Sequence, residues 1–374
     1  MFQRRSISNQ LTFFQKIRSF DFILLGCVLT IGIISCFSMY STDGGEILYH
    51  SKSHTIRFLV FFFMMLVLSF FNIKFWHTTG YLFYFIVLAF LIWASFYGIT
   101  ASGSQRWISL YFINLQPSEL MKIAIIVCFA RYYHRTNVSD VNSFKNLLLP
   151  ITILIIPIVL VVSQPDLGTS ILIALSGLVV LWLAGLNIKY FIYSSLFFVI
   201  SLPFVISFLE PYQKLRILTF FNPDKDPLGA GYQIIQSKIA IGSGGLTGKG
   251  FLKGTQSYLD FLPEKHTDFI FTLFSEEFGF IGSVGLLILY SIIIFRIIRI
   301  GSISRSNFAR LFCFGYAFAI FIYIVVNLSM VLGLLPIVGS PLPIMSYGGS
   351  SMLATMIGFG IVLSAKINHK QIIA

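Results

Sequence analysis

Charge is scarce in this chain: Asp, Glu, Lys and Arg make up 11% of its 374 residues. An average soluble domain carries about 25%. With 56% hydrophobic and 17% aromatic residues, a water-soluble fold of this length is excluded. Cysteine is rarer still. Cys27, Cys36, Cys128 and Cys313 fall in apolar stretches without metal-ligand spacing, which excludes a disulfide framework and reads as small buried hydrophobes. No fixed-period repeat is visible and the two halves do not align as inverted copies, which argues against the inverted-repeat transporters. A nucleotide loop is missing too. The run Gly242-Ser243-Gly244-Gly245-Leu246-Thr247-Gly248-Lys249-Gly250 has Ser243 where a Walker loop needs Gly, and Gly250 where it needs Ser or Thr. Two readings remain for it: a flexible turn, or a nest of backbone amides that holds a phosphate together with Lys249.

What the chain has in quantity is apolar sequence, with 41 Phe and a mean hydropathy of +0.86. Apolar stretches of about 17–25 residues read as membrane-spanning helices. Ten are found, at 20–40, 57–73, 80–98, 118–134, 147–162, 168–185, 189–209, 268–298, 307–332 and 348–367. The expected architecture is an all-α integral membrane protein of ten transmembrane helices, one polytopic domain over residues 1–374. Pro150 and Pro157 in the fifth stretch are tolerable where neighbours satisfy the freed carbonyls. The first nineteen residues are polar and basic, and the first apolar stretch is too long for a signal-peptide core, so it reads as a retained span.

Basic residues set the orientation. With the N-terminus inside, Arg4, Arg5, Lys16, Arg18, Lys74, Arg131, Arg135, Lys145, Lys189, Arg296 and Arg299 fall on the cytoplasmic side. The short outer loops keep little beyond Lys52, Arg57 and Arg106. Both termini are expected in the cytoplasm. The net charge of +12 then reflects topology and attraction to anionic membrane lipids, and nucleic acid is not an expected partner. One long polar segment, 210–267, follows the seventh stretch on the outer side. In it, 222–227 is turn-rich. Residues 232–241 repeat Ile at helical spacing with Gln and Lys opposite, as in a helix lying in the membrane interface.

Asp268 stands where this segment meets the eighth stretch. Two readings are open: a carboxylate placed for chemistry, or an N-cap that accepts backbone N–H groups. Glu276 and Glu277 lie about two turns further in, at costly depth. They point about 100° apart, so at least one should line a polar cavity. Pro117, Ser118 and Glu119 suit a helix start. Glu119 and Lys122 are three apart, so they either pair with each other or leave Lys122 to join Arg106 on an anionic ligand, for which the guanidinium fork is well shaped. Asp166, in Gln164-Pro165-Asp166-Leu167-Gly168, sits in a tight turn, where Asp is a common turn former. The uncharged run 333–351, with three prolines and four glycines, cannot be continuous helix. It must pack inside protein or line a cavity.

These motifs resemble the SEDS proteins (shape, elongation, division and sporulation; the RodA and FtsW type) over nearly the whole chain. The resemblance rests on Gln105-Arg106-Trp107, Gln116-Pro117-Ser118-Glu119 with Lys122, Gln164-Pro165-Asp166-Leu167-Gly168, Gly244-Gly245-Leu246 with Gly248-Lys249-Gly250, Leu262-Pro263-Glu264 with His266-Thr267-Asp268-Phe269, and Ser346-Tyr347-Gly348-Gly349-Ser350. Gly339-Ser340-Pro341-Leu342-Pro343 and Gly254-Thr255-Gln256-Ser257 are similar to the elongation branch. The resemblance implies a peptidoglycan glycosyltransferase of the bacterial inner membrane that polymerises lipid II, with its site on the periplasmic side. It implies Asp268 as the catalytic acid–base residue, and Arg57, Arg106, Lys122, Glu119, Asp166, Lys249, His266 and Ser346 as substrate-binding candidates. A divalent cation, Mg²⁺ or Mn²⁺, is a possible cofactor, with Asp268 as a possible ligand. The implied partners are a class B penicillin-binding protein and other membrane proteins of the elongation complex. Two alternatives use the same ligand or fold without bond chemistry: a lipid II flippase, or a non-catalytic scaffold for the penicillin-binding protein.

Overall fold

Each of the ten apolar stretches coincides with a helix. The computed structural model describes residues 12–101, 104–109, 114–207, 211–222, 230–255 and 264–373. The turn-rich 223–227 therefore lies outside the described residues, as do Leu262 and Pro263. In chain order the helices are α1 (Phe13–Arg18), α2 (Phe22–Thr42), α3 (Tyr49–Ser69), α4 (Ile73–Tyr97), α5 (Pro117–Tyr132), α6 (Val138–Val141), α7 (Phe144–Ser163), α8 (Leu167–Leu183), α9 (Ile188–Ser207), α10 (Pro211–Phe221), α11 (Ala230–Ser243), α12 (Ile270–Ile303), α13 (Asn307–Val331) and α14 (Gly349–Ile367). Among the described residues seven are long and apolar enough to cross a membrane: α2, α3, α4, α7, α12, α13 and α14. Helices α5, α8 and α9 account for the other three stretches. A small antiparallel sheet, β1 (Ile99–Ala101), β2 (Ser104–Ser109) and β3 (Asn114–Leu115), joins α4 to α5. Hydropathy gave no sign of it.

α5 is the axis of the bundle. Every residue from Pro117 to Ala130 is buried, packed against α4, α7, α8, α13 and α14. A helix enclosed on all sides by protein can carry Glu119 and Lys122, which a lipid-facing helix could not. Pro117 stands at its first position, as read from the sequence. Pro157 in α7 removes the N–H that would bond to Ile153. The Tyr84 hydroxyl of α4 donates to that carbonyl instead, at 2.8 Å. At the end of the bundle away from Asp268, Asp21 caps α2 through Leu24 N–H at 3.0 Å. It also takes a two-pronged ion pair from Arg296 of α12.

Two expected boundaries are corrected. The second stretch was placed at 57–73, but α3 starts at Tyr49. Its polar first turns continue the helix because Ser51 and His54 face the bundle, where His54 Nε2 meets Ser35 Oγ at 2.9 Å. The eighth stretch is not one continuous helix. Gly279 breaks α12 with φ 66° and ψ −163°, a conformation essentially reserved for glycine.

The break is filled by the glycine run. Lys249 N–H donates to Glu276 C=O and Gly250 N–H to Glu277 C=O, both at 3.0 Å. In exchange Phe280 N–H donates to Gly245 C=O at 2.9 Å and Ile281 N–H to Leu246 C=O at 3.1 Å. The backbone groups that the helix orphans at Gly279 are thus satisfied by 245–250. The anion-nest reading is corrected for that reason: these amides are spent on carbonyls. Glu276 and Glu277 are both buried. Glu276 Oε1 accepts from Lys249 Nζ at 2.6 Å and from Thr255 N–H at 3.0 Å, and Glu277 accepts from the Ser41 hydroxyl. Their polar surroundings are therefore supplied by protein.

A Cβ at Gly279 would lie 2.3 Å from Gly248 N and 2.7 Å from Leu246 O. Gly279→Ala therefore adds a backbone clash to the ~1–3 kcal/mol of strain expected from φ alone. The purified variant is expected to unfold several degrees below wild type in a thermal melt in detergent.

In α11 the docked face is not the isoleucine stripe. Ile234, Ser237 and Ala240 are buried while Ile239 is exposed. Ser237 Oγ bonds Thr272 Oγ1 of α12 and Val331 O of α13, each at 2.8 Å. Small residues at spacing three let this helix lie close on its neighbours.

Candidate active site

Asp268 does not cap α12. The cap position is Phe269, which has no side-chain cap bond, and among the described residues no hydrogen bond reaches the Asp268 carboxylate. Its backbone carbonyl is held by Asn327 Nδ2 at 2.9 Å, and the same amide donates to Ser340 O at 2.7 Å. One fully buried Asn thus fixes both the carboxylate's mount and the run that passes it. A Cβ on Gly339 would stand 3.5 Å from Asp268 Oδ2. Burial raises the Asp268 pKa to about 7, with Glu264 and Asp166 adding to the rise and Arg106 and Arg216 opposing it. A half-buried carboxylate that exchanges protons near neutrality, within electrostatic reach of two guanidinium groups, can act as a base toward a hydroxyl beside an anion.

The first cation, Arg106, sits on β2 and pairs with Asp166 Oδ2 at 3.0 Å. Gln116 Nε2 donates to the same oxygen at 3.1 Å, and Asp166 Oδ1 caps α8 through Thr169 N–H at 3.1 Å. Asp166 is therefore more than a turn former. It caps α8 and links β2, α5 and α8. The second cation, Arg216, went unnoticed in the sequence. It comes from α10 and donates to Ile337 O at 3.2 Å. Its signal was there: Gln213 and Arg216 are three apart, while Leu215, Leu218 and Phe221 form an exposed apolar face.

On the other flank, the Arg57 guanidinium lies 4.9 Å over the Tyr347 ring. His266 holds Tyr347 N–H through its carbonyl at 2.8 Å and stacks on His50 with centroids 4.1 Å apart. Asp43, His50 and His266 form the group of three whose ligand atoms all lie within 4.8 Å of one another.

The remaining candidates are placed deeper or elsewhere. Lys122 Nζ contacts Glu119 Oε1 at 2.6 Å and lies 4.1 Å from the Tyr323 ring centroid, both charged groups being buried. The Tyr323 hydroxyl donates to the other Glu119 oxygen at 3.3 Å. The pairing reading thus describes this structure. Lys249 is committed to Glu276. Ser346 is buried, and its hydroxyl accepts Leu342 N–H at 2.7 Å, which shapes the 340–347 turn. Ser350 continues that tie, accepting Gln116 N–H at 2.8 Å and donating to Asn114 O at 3.0 Å. The later part of the 333–351 run packs inside protein, with Leu342, Ile344 and Met345 buried, while Leu334 and Leu335 at its start are exposed.

Comparison with known proteins gives one consistent answer. The cell cycle protein family of FtsW, RodA and SpoVE matches residues 17–371. The chain is 45% identical over 290 residues to the peptidoglycan glycosyltransferase MrdB of Escherichia coli K12, covering 77% of this chain and 78% of that one. It is 34% identical over 360 residues to a probable peptidoglycan glycosyltransferase FtsW of Buchnera aphidicola, covering 93% and 94%. Among solved structures it is similar to a chain from work on the structural coordination of polymerization and crosslinking by a peptidoglycan synthase complex. There the TM-score is 0.81 at 29% identity, over 94% of this chain and 99% of that one. The Thermus thermophilus rod shape determining protein RodA shares the fold, with a TM-score of 0.72 at 24% identity over 94% and 98%. With its helices, its sheet and its carboxylate site in the same chain, the protein belongs to the FtsW, RodA and SpoVE family of cell cycle proteins.

Proposed function

We propose that this protein is a peptidoglycan glycosyltransferase that polymerises lipid II during cell elongation and rod-shape maintenance. The observation that carries the reading is Asp268: a half-buried carboxylate that does not cap α12, whose pKa burial raises to about 7, and which feels the charges of Arg106 and Arg216. The names of the relatives agree with it. In this reading the ten helical stretches span the inner membrane as one domain with both termini in the cytoplasm. The Asp268 end then faces the periplasm. The class B penicillin-binding protein, other elongation proteins and membrane lipids are its partners.

Asp268 takes the proton from the 4-hydroxyl of the acceptor GlcNAc as that oxygen attacks C1 of the donor MurNAc. The bond from C1 to the diphosphate oxygen breaks, undecaprenyl diphosphate leaves, and the sugar carbon inverts. Arg106, Arg216 and Arg57 offer positive charge to the departing diphosphate. Lys122 with Glu119, Asp166, Lys249, His266 and Ser346 hold the elements that carry those groups. Asp268 is also a carboxylate that fits a divalent cation, Mg²⁺ or Mn²⁺, because among the described residues none hydrogen-bonds it and such ions bind through one or two carboxylates plus substrate phosphates. That cation would add positive charge at the diphosphate.

Purified protein supplied with lipid II is expected to form glycan strands. Scrambling of lipid II between leaflets without polymer would mark a flippase, and neither activity would mark a scaffold. The acid limb of the rate provides a second check. Only the deprotonated carboxylate accepts a proton, so kcat/KM should rise between about pH 6 and 8 with its midpoint near 7. A flat profile across that range would remove Asp268 as the base.

A further inference from the structure

We propose that Asp43, His50 and His266 form a binding site for a transition-metal dication of the Zn²⁺ class, beside the catalytic carboxylate and separate from it. The three come from different elements: the C-cap of α2, the first turn of α3, and the segment that leads into α12. Their ligand atoms already lie within 4.8 Å of one another. Neighbouring ligands on tetrahedral Zn²⁺ are roughly 3.4 Å apart, given Zn–N and Zn–O bonds of about 2.0–2.2 Å. The site therefore closes by up to about 1.4 Å, and one ring turns out of the His50–His266 stack, whose planes lie 16° from parallel and cannot both meet one ion. The residue that must move is the one able to, since the His50 side chain is 40% exposed while that of Asp43 is 2% exposed.

The supporting contacts prepare both kinds of ligand. Asp43 Oδ2 accepts Ser51 N–H at 2.8 Å, which fixes the carboxylate with Oδ1 turned toward His50 Nδ1, 3.3 Å away. Thr42 Oγ1 lies 2.7 Å from Met39 O and 3.0 Å from His266 Nδ1. The hydroxyl thus meets one ring nitrogen of His266, and ligation would fall to the other. A metal-binding imidazole uses this arrangement, with one nitrogen donating to an oxygen and the other ligating. Two imidazoles and one carboxylate suit Zn²⁺ and its first-row neighbours, whereas Mg²⁺ and Ca²⁺ prefer oxygen alone. Three protein ligands leave a position for water. Bound metal would tie the ends of α2 and α3 to the segment that carries Asp268. The binding claim itself does not rest on the transferase reading.

The test uses the full chain in detergent, purified through a tag without histidine and stripped with chelator. Calorimetric titration with Zn²⁺ should give one site whose affinity falls at least ~10-fold in Asp43→Asn and in His50→Phe. His50→Phe keeps a ring to stack on His266 and removes only the nitrogens, so an unchanged thermal melt separates lost ligation from lost folding. Co²⁺ should give a visible absorption band in wild type that both variants lose. His77→Ala, in the ring cluster of α4 with His134 and Phe308, should bind as wild type does. Equal Zn²⁺ affinity in wild type and His50→Phe, or no saturable binding in wild type, would overturn the proposal.

Discussion

Asp268→Asn is expected to slow lipid II polymerisation by about 10²–10⁴-fold, roughly 3–5 kcal/mol in the barrier. Asn keeps the shape and removes the basic lone pair, so the loss reports proton acceptance rather than packing. The backbone tie from Asn327 to Asp268 O does not involve the side chain and persists in the variant. A stability measurement makes the same experiment sharper. Because the folded-state pKa is raised to about 7, the folded protein holds a proton that the unfolded chain releases at lower pH. The protonated form stabilises below the unfolded pKa of about 3.9, and that contribution is lost as pH rises through 7. Asp268→Asn should therefore melt at a higher temperature than wild type at pH 8, with a smaller gap at pH 5. A variant that is inactive and more stable locates a functional strain at this residue. One that still polymerises at the normal rate sinks the catalytic assignment.

The second large effect is on folding. Lys122→Ala leaves the Glu119 carboxylate buried without its ammonium partner, an arrangement that typically costs about 3–5 kcal/mol. Tyr323 would still donate to Glu119 Oε2, but a neutral hydroxyl cannot answer a full charge. Thermal unfolding should show a drop far larger than for exposed lysines such as Lys74. The double variant Lys122→Met with Glu119→Gln should recover most of it, because removing both charges relieves the burial cost that removing one exposes. A single variant as stable as wild type would mean that water reaches the pair.

The sequence told most about what hydrophobicity alone controls. Apolar length located the ten helical stretches, and Pro117 and Asp166 could be placed because each stands at a turn or a helix start. It failed where backbone hydrogen bonding decides. The Gly279 break lies inside an unbroken apolar run, and nothing local shows that the partner carbonyls belong to 245–246. The glycine run looked like a ligand cradle for the same reason: free amides and spent amides have identical sequences. α3 began early because burial of Ser51 and His54 outweighed their polarity. Arg216 and His50 were missed because each joins the site only through a contact distant in sequence. Asp268 was legible as one of two things, and the cap at Phe269, without a side-chain bond, removes the capping reading.

The splice at Gly279 also gears the molecule. Its four hydrogen bonds couple 245–250, just beyond α11, to both halves of α12. The short half, 270–278, begins two residues past Asp268, while the long half is anchored at its far end by Arg296 and Asp21. A displacement of 245–250 would therefore be felt through backbone hydrogen bonds at 276–281, which include the end of the short half that follows Asp268.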